Sequence, residues 1–342
     1  MTSPLRPGAV LLAAVLVLAA CQSSASQSPA GSGDLSGDIQ ISGSSTVKPI
    51  SSLVVEAFGA ANPDVTYFVD GPGTGDGFAL FCNDETDISD ASRPIKDEEA
   101  AACEEAGVEY VELKVGIDGL SVITSAFNTD LTCLSFLDLY ALLGPESQRF
   151  ETWDAANDLA DELESQLGAD FGESHAPYGA FPLDVTAPGE ESGTFDSFLE
   201  LAIAKIAEAR DQQATTRPDY TPSGDDNVII EGVAGTEDAS STLGWVGFAF
   251  ADENADRVNL LEVDKGDGCV AATPETISSA EYPLARFLYI YVNAARAAAN
   301  PTLQAFVDFY LSDEGIAFVT EADYVALDPA DLGTSRAAWD AR

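Results

Sequence analysis

The sequence predicts an α/β fold with mostly parallel sheets, on three observations. Short alternating apolar runs recur, each followed by a glycine-rich turn and then by a segment with helical apolar spacing. The order strand, glycine turn, helix, strand is the rhythm of a parallel sheet whose ligands sit at the strand C-terminal ends. At 342 residues and 46% hydrophobic, the chain can bury two domains or one large one.

The elements follow in order. Asp38–Gly43 alternates as a strand and breaks at Gly43. Pro49 then stands in the first turn of a helix whose Ile50, Leu53, Val54 and Phe58 share one face, ended by Asn62-Pro63. Val65–Val69 is a strand and Phe78–Cys82 a short helix. Thr86–Ser89 is a strand, and Glu98–Glu105 a helix closed by Gly107. Tyr110–Val115 and Gly119–Ser125 read as two strands, and 134–143 as a helix. The acidic stretch 150–175 reads as an exposed helix with leucines at spacing four. After the 184–186 strand, Phe195, Phe198, Leu199, Ala202 and Ile206 line one helix face. Leu243–Phe250 is a buried strand or aromatic-rich turn, and Leu284–Val292 a strong apolar strand. Asn300 caps a helix that has Pro301 at its first position.

Asp and Glu number 58 against 15 Lys and Arg, a net charge of -43. That charge argues against nucleic acid as a partner and keeps the surface solvated. A high-salt habitat would explain it, and acidic extracytoplasmic proteins also show it without salt. Arg6 and the apolar residues 9–20 form a signal peptide over 1–20, too short to span a bilayer comfortably. Leu18-Ala19-Ala20-Cys21 resembles a bacterial lipobox, with Cys21 the lipid attachment site, and 21–37 read as a flexible tether. The chain is thus expected outside the cytoplasm, lipid-anchored to the outer face of the cell membrane. Cys82, Cys103, Cys133 and Cys269 suggest two disulfides in an exported chain, with three connectivities open. Cys82 and Cys103 flank one local segment and are paired on that ground, leaving Cys133 with Cys269. The absence of C-x-x-C speaks against a metal site, and the lone His175 reads as an exposed loop residue.

Three small-residue runs stand at strand-to-helix junctions: Gly43-Ser44-Ser45-Thr46, Gly73-Thr74-Gly75 and Ser192-Gly193-Thr194. Such junctions offer free backbone N–H groups, hydroxyls and the positive end of a helix dipole, and three together point to one oxyanion pocket. Arg93, in a loop after a strand, reads equally as a surface ion pair or as a guanidinium fork across two oxyanion oxygens. No nucleotide-binding spacing occurs, and Ser192 does not lie in G-x-S-x-G, so hydrolase chemistry finds no support.

The runs GSSTVKPI, GPGTGDGF, FCNDETDISDASRPIKDEEAAACEEAG, GIDGLSVI, ESGTFDSF and DDNVIIEGVAG occur in this order between about 38 and 320. Together they resemble the phosphate-binding proteins of the bacterial phosphate ABC transporter. The lipobox and both cysteine pairs fit that family. The resemblance implies a two-lobed periplasmic-binding-protein fold, each lobe a mixed, mostly parallel sheet flanked by helices, joined by two hinge strands. It implies 38–116 with 287–342 as lobe one and 117–286 as lobe two. It implies inorganic phosphate held between the lobes without catalysis or cofactor, by a monomer that delivers it to permease subunits. Carried over by motif, Ser45 and Thr46, with Ser44 beside them, would meet phosphate from the first lobe. Thr74, Gly75, Ser92 and Arg93 would join them, with Arg93 the single cation, and Ser192, Gly193 and Thr194 would face them from the second lobe. Asp76 or Glu191 would accept the proton that phosphate carries and sulfate lacks. The alternatives are a receptor for sulfate, molybdate or arsenate, and a secreted phosphatase.

Overall fold

The computed structural model describes residues 35–190, 192–235 and 241–342. The expected signal peptide, Cys21, Glu191 and most of the tether lie outside the described residues. The tether is shorter than expected. Leu35 packs on an apolar core, the Ser36 carbonyl accepts from the Thr302 hydroxyl at 2.8 Å, and Gly37 already belongs to the first strand.

The first half keeps the expected alternation. β1 (Gly37–Gly43) runs parallel to β2 (Val65–Asp70) and β3 (Ile88–Ala91). Between them lie α1 (Lys48–Ala61), which buries Ile50, Val54, Val55 and Phe58, and α2 (Thr74–Cys82). α3 (Asp97–Ala106) ends at Gly107, whose φ of 74° suits the left-handed cap that glycine takes without strain.

The two strands expected over 110–125 are one, β4 (Tyr110–Ser125). Gly116 and Gly119 suggested a break, but they are glycine for another reason. A Cβ would lie 2.8 Å from a Val319 methyl at the first and 2.8 Å from an Ile277 methyl at the second. Close packing of neighbouring elements, not strand termination, excludes side chains there.

Beyond β4, β5 (Cys133–Ser135) leads into α4 (Phe136–Leu143), every residue of which is buried. α5 (Asn157–Leu167) was expected to be exposed, yet its Ala160 and Leu163 are fully buried while its acids face outward. β6 (Asp184–Pro188) precedes α6 (Gly193–Phe198), which continues through a π turn at Leu199–Ile203 into α7 (Ala204–Ala209). Then come β7 (Thr221–Ser223), α8 (Asp226–Ala234), β8 (Thr242–Gly247) and α9 (Phe248–Glu253). Three short strands, β9 (Val258–Leu260), β10 (Glu262–Asp264) and β11 (Cys269–Val270), and α10 (Pro274–Ser278) precede β12 (Ala285–Asn293). The chain ends in α11 (Ala294–Ala299), α12 (Pro301–Tyr310), α13 (Asp313–Glu321) and α14 (Pro329–Asp340). As expected, the Asn300 side chain accepts from Thr302 N and Leu303 N to cap α12.

Among the described residues the main sheet runs β2-β1-β3-β12-β4-β8-β6-β7, with β9 also on β4. The first part of β4 pairs antiparallel with β12, and its Leu120–Thr124 pairs with β8, so β4 belongs to both halves of the sheet. β12 and β4 slip register between Leu288 and Tyr289. The cores divide close by. Leu113 and Val115 pack with α1 and α12, whereas Ile117, Leu120 and Val122 pack with α4, α5 and α6. This is a two-lobed α/β fold with β4 and β12 crossing between the halves.

The disulfides are Cys82–Cys103 and Cys133–Cys269, as paired from the sequence. His175 is the exposed loop residue expected, but it has a partner that the sequence did not reveal. Its Nδ1 lies 2.6 Å from Asp138, a wholly buried carboxylate in the first turn of α4 that also accepts from Ser135, Ser174 and Tyr178. That bond raises the His175 pKa. Burial works to raise the Asp138 pKa, and the bonds from His175, Tyr178 and the backbone outweigh it, so the carboxyl is held low.

Candidate functional site

The first lobe's loops meet at the end of β1. Gly43 has φ 151°, and a Cβ there would sit 2.1 Å from the Asp90 carbonyl oxygen, so only glycine lets β1 turn against β3. Ser44 N donates to that carbonyl at 2.8 Å. The Ser44 hydroxyl turns inward and accepts from Thr46 N at 3.2 Å and Val47 N at 3.4 Å, closing the first turn before α1. Ser44 therefore shapes the loop. The glycine loop rests on it through Gly73 N to Gly43 O at 2.9 Å. Thr74 then accepts from Ser92 N at 3.2 Å, with the two hydroxyls 3.1 Å apart.

The second lobe brings α6. The Ser192 side chain caps it, accepting from Thr194 N at 3.2 Å. One turn on, three side chains reach the first lobe's loops or the crossing strands. Asp196 accepts from the Ser45 hydroxyl at 3.2 Å, and Glu200 accepts from the Ser92 hydroxyl at 3.4 Å. Ser197 donates to Asp118 at 2.6 Å.

At the centre stands Arg286 of β12, cross-strand partner of Asp118 on β4. Its Nε donates to Asp118 at 3.0 Å and its Nη1 to Glu200. Its Nη2 donates to the hydroxyls of Thr46 and Ser197, each at 3.2 Å. The side chain is 13% exposed. Burial alone would lower its pKa, and the charges of Asp118 and Glu200 outweigh that and raise it. Burial, aided by Glu200, raises the Asp196 pKa, against the Ser45 bond. Asp196 is the carboxylate of this cluster with no basic side chain hydrogen-bonded to it among the described residues.

Of the residues picked from the sequence, Ser45, Thr46, Thr74 and Ser92 come together. Arg93 spends its fork outside the cluster, although the Glu200 charge acts on it. Its fork grips Glu99 at 2.7 and 2.8 Å, and its guanidinium carbon lies 5.7 Å from the Phe78 ring centre. The reason is local. Glu99 is the third residue of α3, and its carboxylate reaches back to Lys96 N at 2.9 Å, which places it beside Arg93. Gly75 lies close to that guanidinium, with Arg93 Nη2 3.9 Å from where its Cβ would stand. Asp76 is exposed, with no hydrogen bond from its side chain to this cluster among the described residues. Ser192 and Thr194 line a neighbouring cleft of about 670 Å³, with Thr320, Asp323 and Tyr324 on its far side.

Sequence reading missed Arg286, Asp118, Asp196, Ser197 and Glu200. Two carried a signal: Arg286 is the one charge inside the apolar run Leu284–Val292, and Asp118 the one charge inside Val115–Ser125. A charge buried in a strand must be paired, and such pairs mark functional sites more often than exposed charges do.

The model of the PBP (periplasmic-binding-protein) superfamily domain matches residues 28–314. The Synechocystis protein SphX is 37% identical over 291 residues, covering 84% of this chain and 78% of that protein. The phosphate-binding protein PstS of Staphylococcus saprophyticus is 30% identical over 337 residues, covering 97% of this chain and 93% of that one. A solved structure described as a possible phosphate binding protein from Planctomyces limnophilus superposes with a TM-score of 0.77 at 32% identity, over 90% of this chain and 99% of its own. With a superfamily match across most of its length and relatives aligned nearly end to end, the chain belongs to the PBP superfamily and, within it, to the PstS-type phosphate-binding proteins.

Proposed function

We propose that this protein captures inorganic phosphate between its two lobes outside the cytoplasm and hands it to an ABC transporter permease, without catalysis. The observation that carries the reading is the Arg286 guanidinium, which bonds hydroxyls from both sides, Thr46 and Ser197, and shares Glu200 with the Ser92 hydroxyl. Hydroxyls and one buried guanidinium make an oxyanion site. Ser45, Thr46, Thr74 and Ser92 would meet the anion from one side, Ser192, Gly193, Thr194 and Ser197 from the other, and Arg286 from the crossing strand between them. Arg93 would act from the rim.

The lobes would be 38–116 with 287–342 and 117–286, a division supported by the parting of the apolar cores between Val115 and Ile117. Three carboxylates crowd Arg286, so an anion without a proton meets repulsion there. Asp196, lacking a cation partner, would accept the proton of monohydrogen phosphate and disfavour sulfate, the role first looked for in Asp76 or Glu191. Cys21 would carry the lipid anchor, as the lipobox-like run Leu18–Cys21 supports.

Calorimetry with phosphate, sulfate, molybdate and arsenate tests the reading. Micromolar or tighter phosphate binding with sulfate far weaker is expected. No heat at millimolar phosphate, or a preference for sulfate or molybdate, would sink it.

A further inference from the structure

Tyr324 follows α13, near the end of the chain and beyond the stretch that carries the sequence motifs. The turn that delivers it includes Asp323 at φ 65°. The next residue, Val325, is fastened to the crossing strand β4 by two backbone bonds. Ile117 N donates to Val325 O at 2.8 Å, and Val325 N to Ile117 O at 2.9 Å. Tyr324 is thus held beside Asp118 by the same strand that carries Asp118.

Its ring points into the site. A Cβ on Gly193 would stand 3.2 Å from the Tyr324 hydroxyl, which puts that oxygen against the start of α6. The charges that act on it are those of Asp118, Arg286, Asp196 and Asp323, three of them members of the cluster described above. With Ser192 and Thr194 it lines the cleft. Burial, with Asp118 and Asp196, holds the phenol well above its ordinary pKa, so it stays a proton donor. Among the described residues the hydroxyl has no hydrogen-bond partner. The residue is half-buried and its hydroxyl opens on the cleft, where it is available to donate to a ligand.

We propose that Tyr324 is an oxyanion ligand: its hydroxyl donates to the captured anion from the carboxy-terminal segment, beside the Ser192–Thr194 turn. This rests on the phosphate reading. It also gives Gly193 a reason beyond helix geometry, since any side chain there would press on the Tyr324 hydroxyl. A phenol donor discriminates little between tetrahedral oxyanions, so it contributes affinity rather than phosphate selectivity.

The test is Tyr324→Phe in the full chain, with Tyr67→Phe as a control on an exposed tyrosine of β2. Phosphate and sulfate binding are measured by calorimetry, the ligand-free melting temperature by scanning calorimetry, and the tyrosine difference spectrum on adding phosphate by absorbance. The expected result is roughly ten- to a hundredfold weaker phosphate binding in Tyr324→Phe, the range for one hydrogen bond to a charged group. Sulfate binding falls in similar proportion, the ligand-free melting temperature stays unchanged, and part of the difference spectrum is lost. Tyr67→Phe leaves all of these as in the wild type. Phosphate affinity within twofold of wild type overturns the assignment, as does a lowered ligand-free melting temperature, which would make the hydroxyl part of the fold. A wild-type protein that binds no phosphate defeats the parent reading itself, a result distinct from either of these.

Discussion

Arg286 and Asp118 face each other across neighbouring strands, and the guanidinium still has donors for Thr46, Ser197 and Glu200. Deleting a buried charge leaves its partner unpaired, so Arg286→Ala would confound folding with binding. Arg286→Lys keeps the charge and loses the planar fork. Calorimetry should show phosphate affinity lowered at least tenfold in Arg286→Lys and no more than threefold in Arg93→Ala, because Arg93 spends its fork on Glu99. A larger loss at Arg93 would return the central role to that residue. Asp196→Asn removes a carboxylate to which no basic side chain is hydrogen-bonded among the described residues. Competition titration should show the preference for phosphate over sulfate shrinking by at least tenfold, mainly through a gain for sulfate, while Asp76→Asn leaves the ratio unchanged. Residues next to small-residue turns could be picked from the sequence because backbone geometry is local. Asp196 could not, because its meaning depends on which strand and helix face each other, and Arg286 showed only as a lone charge in an apolar run, with nothing to name its partners.

At the level of elements, the alternation of β1 to α3 was readable because glycine stands at or just after the ends of β1, β2 and α3, and α1 has one apolar face. β4 was misread because Gly116 and Gly119 carry no mark distinguishing a strand end from a place where Val319 and Ile277 press close. The pairing of His175 could not be read because its partner, Asp138, lies 37 residues away. That pair gives the protein a pH signature. The His175 pKa is raised on folding, so its contribution to stability is full below the unfolded value of about 6.5 and is lost as pH rises through the folded value. The Asp138 pKa is lowered, so its contribution is present above the unfolded carboxylate range and is lost on acidification. The melting temperature should decline on the alkaline side of about pH 6.5, and His175→Gln should flatten that decline and weaken the acid limb too, because the His175 bond helps hold Asp138 low. The disulfides divide by reach. Cys82–Cys103 spans 21 residues and Cys133–Cys269 spans 136. Chain-entropy arguments give about 3 kcal/mol for the shorter loop and nearly 5 kcal/mol for the longer. Replacing the second pair with serines should therefore lower the melting temperature more than replacing the first.

For the whole molecule, the net charge of -43 opposes the approach of any anion. Hydroxyls and a guanidinium act at contact distance, whereas the surface acids act through solvent, where salt shortens their range from about 10 Å at 0.1 M to about 3 Å at 1 M. The association rate for phosphate, measured by stopped flow, should therefore rise with added sodium chloride, opposite to the behaviour of a basic anion site. A rate that falls with salt would show that the local field near Arg286 already governs the approach.

The register slip between Leu288 and Tyr289 has a mechanical consequence. Strand pairs bend most readily where the ladder skips a residue. Here the skip lies beside Val115, where the two cores part, and two residues from Arg286. Flexure at that point would swing the guanidinium through an arc instead of merely widening the gap around it. The joint and the grip would then be one part, and stiffening the joint would alter how long cargo is held even with every contacting side chain left in place.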